Sequence, residues 1–172
     1  MSDFAHRLPI DRIRDGDRTD LVATEEERAV LAERLGLSSL DRLEAHAVLA
    51  RSGKSIRASG RVKSTLEQSC VATGEPVPAS IDEPFELVFL PEPAIGGGDE
   101  EIELGESDLD TVFHDGSAID LGAAIADTLV LALDPYPRSA GADAALREAG
   151  VVTEEEAGPF AALAALKEKL GK

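Results

Sequence analysis

Cysteine and aromatic residues are scarce in this chain. Its 172 residues include one cysteine, Cys70, no tryptophan, one tyrosine and five phenylalanines. A lone cysteine cannot form an intramolecular disulfide, and no pair or quartet of Cys and His has the spacing of zinc ligands. We therefore expect a protein of a reducing compartment with an aliphatic core, without a metal site and without a cofactor.

Long hydrophobic runs are missing as well. Although 43% of the residues are apolar, no stretch approaches the roughly 18–20 apolar residues that a membrane helix needs. Charged residues interrupt every short apolar run near the N-terminus, which excludes the core of a signal peptide. We expect a soluble cytoplasmic protein without a membrane partner, and the length suits a single domain over residues 1–172.

Cations are absent from the middle of the chain. Between Lys63 and Arg138 there are seventeen Asp and Glu residues and no Lys or Arg, whereas both flanks are nearly neutral. The net charge of −17 therefore arises in this segment. A block of negative charge repels nucleic-acid phosphates and attracts basic partners, so we expect no DNA partner. A solvated acidic face without any specific partner is the alternative interpretation.

Local patterns predict a helix followed by a hairpin. Thr24 and Glu27 have the spacing of a capping box, which predicts a helix over residues 25–35 that ends at Gly36. From Leu40 the apolar residues recur with a period of two, the pattern of a half-buried strand. Turn-forming residues at 51–54 and a second alternating run at 56–63 complete an antiparallel hairpin with a basic outer face.

The remaining patterns predict an α+β protein with an antiparallel sheet of about four to five strands and packed helices. A third strand should lead into Cys70, a fourth should carry Phe85 and Phe89, and a short strand at 111–113 should precede a helix over 121–133. Residues 91–110 are rich in Gly and acids and are predicted to be a flexible acidic loop. Residues 138–157 are predicted to be a linker before an amphipathic C-terminal helix over 159–170, which would dock on its own sheet or in a partner's groove.

The sequence offers little for catalysis. The three histidines are scattered, and no Ser or Cys lies in a nucleophile motif. His46 is expected to have an exposed or hydrogen-bonded structural role, and Cys70 is expected to be a packing residue because no cation lies close behind it in the sequence. We therefore expect a protein that is not an enzyme.

Two charged clusters are the candidate binding sites. The first is basic, carries no acid, and can contact RNA phosphates in a salt-dependent way; it comprises Arg51, Lys54, Arg57, Arg61 and Lys63. It has no aromatic residue on which a base would stack, so a solvated strand face or an intramolecular partner for the acidic loop is an equally good interpretation. The second is the acidic cluster of the loop, a candidate surface for a basic partner rather than a metal site; it comprises Asp99, Glu100, Glu101, Glu103 and Glu106.

Three stretches in this order resemble the bacterial YceD-like family, the large ribosomal RNA subunit accumulation proteins. They are residues 66–77, residues 119–135 and residues 158–163, and the resemblance extends over about residues 20–170. Many members carry C-x-x-C in the first stretch, whereas Thr73 stands here where the second cysteine would fall. This departure removes any argument from the family for metal or redox chemistry. Gly158 likewise replaces the asparagine that usually begins the last stretch.

The resemblance implies a role in the synthesis, processing or stability of large-subunit rRNA, without a known catalytic activity. It implies as partners the large-subunit rRNA or a pre-ribosomal particle, together with a basic ribosomal protein or assembly factor. The alternative hypothesis is an acidic adaptor that holds a basic client protein and makes no contact with RNA.

Overall fold

The computed structural model describes residues 4–92 and 110–151. Within these ranges the chain forms seven strands, a single 3₁₀ turn and three helices, which confirms the predicted α+β class. The strands are β1 (Arg7–Pro9), β2 (Asp17–Val22), β3 (Ser39–Ser52), β4 (Ser55–Ser69), β5 (Pro76–Pro91), β6 (Thr111–His114) and β7 (Ala118–Asp120). The helices are α1 (Glu25–Leu35), α2 (Leu121–Ala132) and α3 (Ala142–Glu148), and the 3₁₀ turn spans Ile10–Arg12.

Two compact units make up the chain. Among the described residues, the first comprises residues 4–68, 78–92 and 110–135, and the second comprises residues 69–77 and 136–151. The predicted linker over 138–157 includes α3 within its described part. Most of the predicted acidic loop and the whole predicted helix over 159–170 lie outside the described residues. The single domain over residues 1–172 stays a prediction.

The first unit is organised around a five-stranded sheet with the order β2-β3-β4-β5-β6. The pair β3–β4 is antiparallel, as predicted, and β2, a strand that the sequence analysis did not predict, pairs antiparallel with β3. Strands β5 and β6 pair in parallel, with Val88 opposite Thr111. The sheet is therefore mixed rather than antiparallel throughout. A parallel pair needs a long connection, and the segment between β5 and β6 supplies it. Separately, β1 and β7 form a two-stranded antiparallel sheet.

The long hairpin β3–β4 follows the predicted alternation. Leu43, Leu49 and Val62 are buried on the inner face, whereas His46 and Arg61 are exposed on the outer face. The predicted third strand is not separate, because β4 continues without interruption to Ser69. Two polar side chains on its inner face each have a hydrogen-bond acceptor. The Ser64 hydroxyl donates to the carbonyl of Arg42, and the Gln68 amide donates to the carbonyl of Asp134.

Helix α1 begins and ends where the sequence predicts. The Thr24 hydroxyl accepts the N–H of Glu27 at 3.3 Å, and the Glu27 carboxylate accepts the N–H of Thr24 at 2.8 Å, which completes the capping box. Gly36 then adopts the left-handed conformation that ends many helices, with φ of 65°. Leu31 is fully buried and anchors the helix in the core.

Helix α2 supplies the other part of the core. Asp120 caps its N-terminus by accepting the N–H of Ala123, and the same carboxylate oxygen accepts the N–H of His6. One apolar stripe of the helix is fully buried and belongs to the same hydrophobic cluster as the inner face of the sheet; it contains Leu121, Ile125 and Leu129. Each such side chain contributes roughly 1.5–3 kcal/mol to folding through removal from water.

None of the helices in the described ranges has both the length and the apolar composition needed to cross a membrane.

Candidate functional site

Three of the five predicted basic residues lie in one row on the outer face of β4. Arg57, Arg61 and Lys63 occupy alternating positions of this strand and are exposed. Their side chains therefore point away from the buried Ile56 and Val62. We refer to Arg57, Arg61 and Lys63 as the β4 cation row.

Asp82 on the neighbouring strand β5 contacts two members of this row. Its Oδ1 accepts a hydrogen bond from Nε of Arg61 at 2.8 Å, and its Oδ2 lies 3.6 Å from Nζ of Lys63. The hydrogen bond from Arg61, with the positive charges of Arg61 and Lys63, lowers the pKa of the Asp82 carboxyl below its ordinary value, against a smaller opposing effect of desolvation. Asp82 is thus ionised at neutral pH and bridges two cations.

The third member of the row also has a carboxylate partner on β5. Arg57 forms an ion pair with Glu86, four residues beyond Asp82 on β5. The side chains of all five residues are more than half exposed. Exposed ion pairs are weak because water solvates both charges nearly as well as they solvate each other. The β4 cation row is therefore paired within the sheet, and its pairs are accessible to solvent.

Further charges extend across the outer face toward β2. The Nδ1 of His46 lies 2.6 Å from Oδ1 of Asp20, and the guanidinium of Arg42 donates to Glu44 at 2.5 Å. This contact with Arg42 lowers the pKa of the Glu44 carboxyl. The structural role expected for His46 agrees with its position. Together with Arg61 and Lys63, these residues line an open groove of about 520 Å³.

The structure places the two other basic residues apart from the row. Arg51 lies opposite the buried Ile56, which puts it on the other side of the sheet, and its guanidinium donates to the carbonyls of Ile10 at 2.8 Å and Ile13 at 3.4 Å. Lys54 lies in the turn between β3 and β4. Arg51 therefore holds the N-terminal segment. The five predicted acidic residues at 99–106 lie outside the described residues.

Sequence reasoning missed Asp82 and Glu86 as partners of the row and proposed the acidic loop instead. A signal was present in the spacing, because Asp82 and Glu86 are four residues apart, as are Arg57 and Arg61. Opposite charges with equal spacing on neighbouring strands can face each other across the sheet. Reading that signal requires knowing which strands are neighbours.

A second structured feature, in the other unit, is the turn around Cys70. The Cys70 N–H donates to the carbonyl of Glu75 at 2.8 Å, and the Gly74 N–H donates to the carbonyl of Cys70 at 2.9 Å. The Cys70 sulfur accepts the N–H of Ser139 at 3.2 Å, and the Ser139 hydroxyl donates to the Glu75 carboxylate at 2.8 Å. Glu75 and Ser139 thus hold both sides of the turn.

These hydrogen bonds change the acidity of the Cys70 thiol. Donation from the backbone N–H of Ser139 is the largest cause, followed by the side chain of Thr73. With weaker hydrogen bonds from the Ser139 side chain and the Ala72 backbone, and against an opposing effect of desolvation, they lower the pKa of the thiol from 9.0 to about 6. The residue is only 3% exposed, so the sulfur is shielded despite its acidity. Cys70 was predicted to be a packing residue because no cation follows it closely in the sequence. The hydrogen-bond donors that the fold brings to its sulfur could not be recognised from the sequence.

Within residues 4–92 and 110–151, no group of three or more His, Cys, Asp or Glu side chains is arranged to hold a metal ion.

The fold and its outer face define an α+β protein with an open, charged sheet surface. The family described as "Large ribosomal RNA subunit accumulation protein YceD" matches residues 58–167, well over half of the chain, and the chain belongs to this family. The resemblance given above is thereby confirmed. The matched range includes Arg61, Lys63, Asp82 and Glu86, together with the Cys70 turn. Comparison with curated proteins gives no match, and comparison with solved structures gives none either.

Proposed function

We propose that this protein is a non-enzymatic ribosome-biogenesis factor that supports the synthesis, processing or stability of large-subunit rRNA. Membership of a family described by accumulation of that RNA supports the general role. Direct contact with RNA is supported by the β4 cation row, in which three cations lie along an exposed strand face. Cytoplasmic location belongs to the same proposal.

The contact we propose is with the RNA backbone rather than with the bases. Arginine and lysine side chains bind phosphates without reading sequence, and such contacts position a protein on its RNA. The strong negative charge elsewhere on the chain opposes RNA at long range. Selection of the large-subunit rRNA would therefore come from a second partner, a basic ribosomal protein or assembly factor bound through the acidic middle segment.

The test is the ratio of large-subunit to small-subunit rRNA in bacterial cells that lack the protein. We expect the ratio to fall, and to be restored by the wild-type chain. A chain with Arg57→Gln, Arg61→Gln and Lys63→Gln should restore it only in part, whereas the control Arg147→Gln, which removes an exposed cation of α3, should restore it fully. An unchanged ratio in cells without the protein would contradict the proposal.

The second candidate function is an acidic adaptor that holds a basic client protein without touching RNA. The concentration of seventeen acids in a segment without cations favours it. Deleting residues 92–110 separates the two candidates. Under the adaptor hypothesis the deletion should abolish capture of the client, whereas binding governed by the β4 cation row should persist.

A further inference from the structure

The outer face of β4 carries more than cations. Ser59 lies between Arg57 and Arg61, and Thr65 follows Lys63, so that five successive outward positions carry hydrogen-bond donors. Two residues of a strand span roughly 6.6 Å, a step comparable to that between successive phosphates of an extended nucleic-acid strand. The β4 face therefore presents a row of donors with a spacing suited to the sugar–phosphate backbone of a nucleic acid.

A carboxylate now occupies the position that a phosphate would take in this row. Each oxygen of Asp82 faces a different cation, Oδ1 toward Arg61 at 2.8 Å and Oδ2 toward Lys63 at 3.6 Å. Glu86 occupies the equivalent position beside Arg57. Arginine binds carboxylate and phosphate through the same donors. The two acids of β5 thus imitate a pair of phosphates.

Exchange of these carboxylates for phosphates needs little free energy because the ion pairs are exposed. The exchange discriminates between ligands, however. A single phosphate must displace Asp82 without any further gain, whereas a continuous strand that displaces Asp82 and Glu86 together benefits from linkage of the two contacts. The row should therefore bind a nucleic-acid strand and bind free phosphate or a mononucleotide only weakly.

We propose that Asp82 and Glu86 are built-in competitors that restrict the β4 cation row to single-stranded RNA able to replace both carboxylates at once. This inference rests on the proposed function, and it adds the class of ligand and the residues that set its affinity. Asp82 and Glu86 act through the cations and are positioning residues that do not themselves contact RNA.

The test measures binding of a fluorescent oligouridine by anisotropy at fixed salt. Asp82→Asn removes one competitor, and Glu83→Gln is the matched control, because Glu83 is an exposed neighbour on β5 that forms no ion pair with the described residues. We expect Asp82→Asn to tighten binding by roughly two- to fivefold more than Glu83→Gln does, the range typical of one exposed ion pair. Glu86→Gln should likewise tighten binding. Uridine monophosphate should compete poorly against the wild type and better against Asp82→Asn, in which it no longer has to displace a carboxylate.

Three results would overturn the inference. The first is equal tightening by Asp82→Asn and Glu83→Gln, which would be a general charge effect, and the second is the absence of oligouridine binding by any variant. The third is a loss of binding to a lysine-rich peptide upon Asp82→Asn with oligouridine binding unchanged, which would assign Asp82 to a protein partner. Each of these leaves the cellular rRNA ratio as a separate readout of the proposed function. Thermal unfolding of each variant confirms that the protein measured is folded.

Discussion

Asp82 contacts Arg61 through both its side chain and its backbone. Its Oδ1 accepts Nε of Arg61 at 2.8 Å, and its carbonyl oxygen accepts Nη2 of Arg61 at 3.0 Å. The guanidinium is therefore fixed over β5, while a little over half of the side chain remains exposed. These contacts hold the Arg61 cation at the surface of a protein whose net charge is −17.

The first prediction concerns the salt dependence of RNA binding. Each cation that contacts a phosphate of a single strand contributes about 0.7 to the slope of log affinity against log salt concentration. Arg61→Gln should therefore lower the slope for oligouridine by about 0.7 and weaken binding at low salt. The control Arg147→Gln should leave the slope unchanged. Equal slopes for Arg61→Gln and the wild type would mean that Arg61 does not contact the RNA.

Gly60 is required by the close approach of β3 to β4. A Cβ atom at this position would lie 1.8 Å from the carbonyl oxygen of His46 and 2.8 Å from its carbonyl carbon, both of which are backbone atoms. We expect Gly60→Ala to lower the free energy of unfolding by at least about 1–3 kcal/mol. Urea denaturation measures the loss, and Ser59→Ala, on the exposed face of the same strand, should have little effect. Equal stability of both variants would contradict the observed strand spacing.

The capping box of α1 provides a test of local stability. Thr24→Ala removes the hydroxyl that accepts the N–H of Glu27 and should lower the free energy of unfolding by about 1 kcal/mol. Thr24→Ser keeps the acceptor and should lose much less. If the serine variant is destabilised as much as the alanine variant, packing of the threonine methyl group and not the cap explains the effect.

Cys70 predicts a pH dependence of stability with a definite sign. Its pKa is about 6 in the folded protein against 9.0 for an ordinary thiol, because the donors around the sulfur stabilise the thiolate. The resulting stabilisation is fully present above pH 9, decreases below it, and is lost as the pH falls through about 6. The free energy of unfolding of the wild type, relative to that of Cys70→Ser, should therefore increase as the pH rises from about 6 to 9.0.

Denaturation of both proteins at several pH values checks this prediction. A difference that stays constant with pH would show that the thiol titrates normally. Alkylation by iodoacetamide gives a second readout, and we expect it to be slow in the folded protein because only 3% of Cys70 is exposed.

Local signals predicted helix α1 and the hairpin β3–β4, whereas strands β1 and β2 were not predicted. The bounds of α1 follow from Thr24, Glu27 and Gly36, and the alternation of β3 and β4 places Arg57, Arg61 and Lys63 on one face. These features depend on neighbours in sequence, so the sequence alone is sufficient to predict them. The parallel pairing of β6 and the small sheet β1–β7 depend on distant segments of three or four residues, too short for a recognisable period.

The cations of the site could be predicted from the sequence, but their carboxylate partners could not. The cations were found because their alternation is local, whereas Asp82 and Glu86 become partners only when β5 lies beside β4. Arg51 shows the opposite error, because its charge suggested membership of the basic cluster while its position places it on the other side of the sheet. Composition identifies charge, and strand register decides which charges meet.

The most direct test of the central claim is an affinity pull-down of the tagged protein from bacterial lysate, with half of each sample treated with RNase. The proposed function predicts large-subunit rRNA in the untreated half, and much less of it when the bait carries Arg57→Glu, Arg61→Glu and Lys63→Glu. Equal recovery of that RNA by both baits would contradict contact through the β4 cation row. Absence of both large-subunit rRNA and large-subunit proteins from the wild-type sample would contradict the ribosomal role itself.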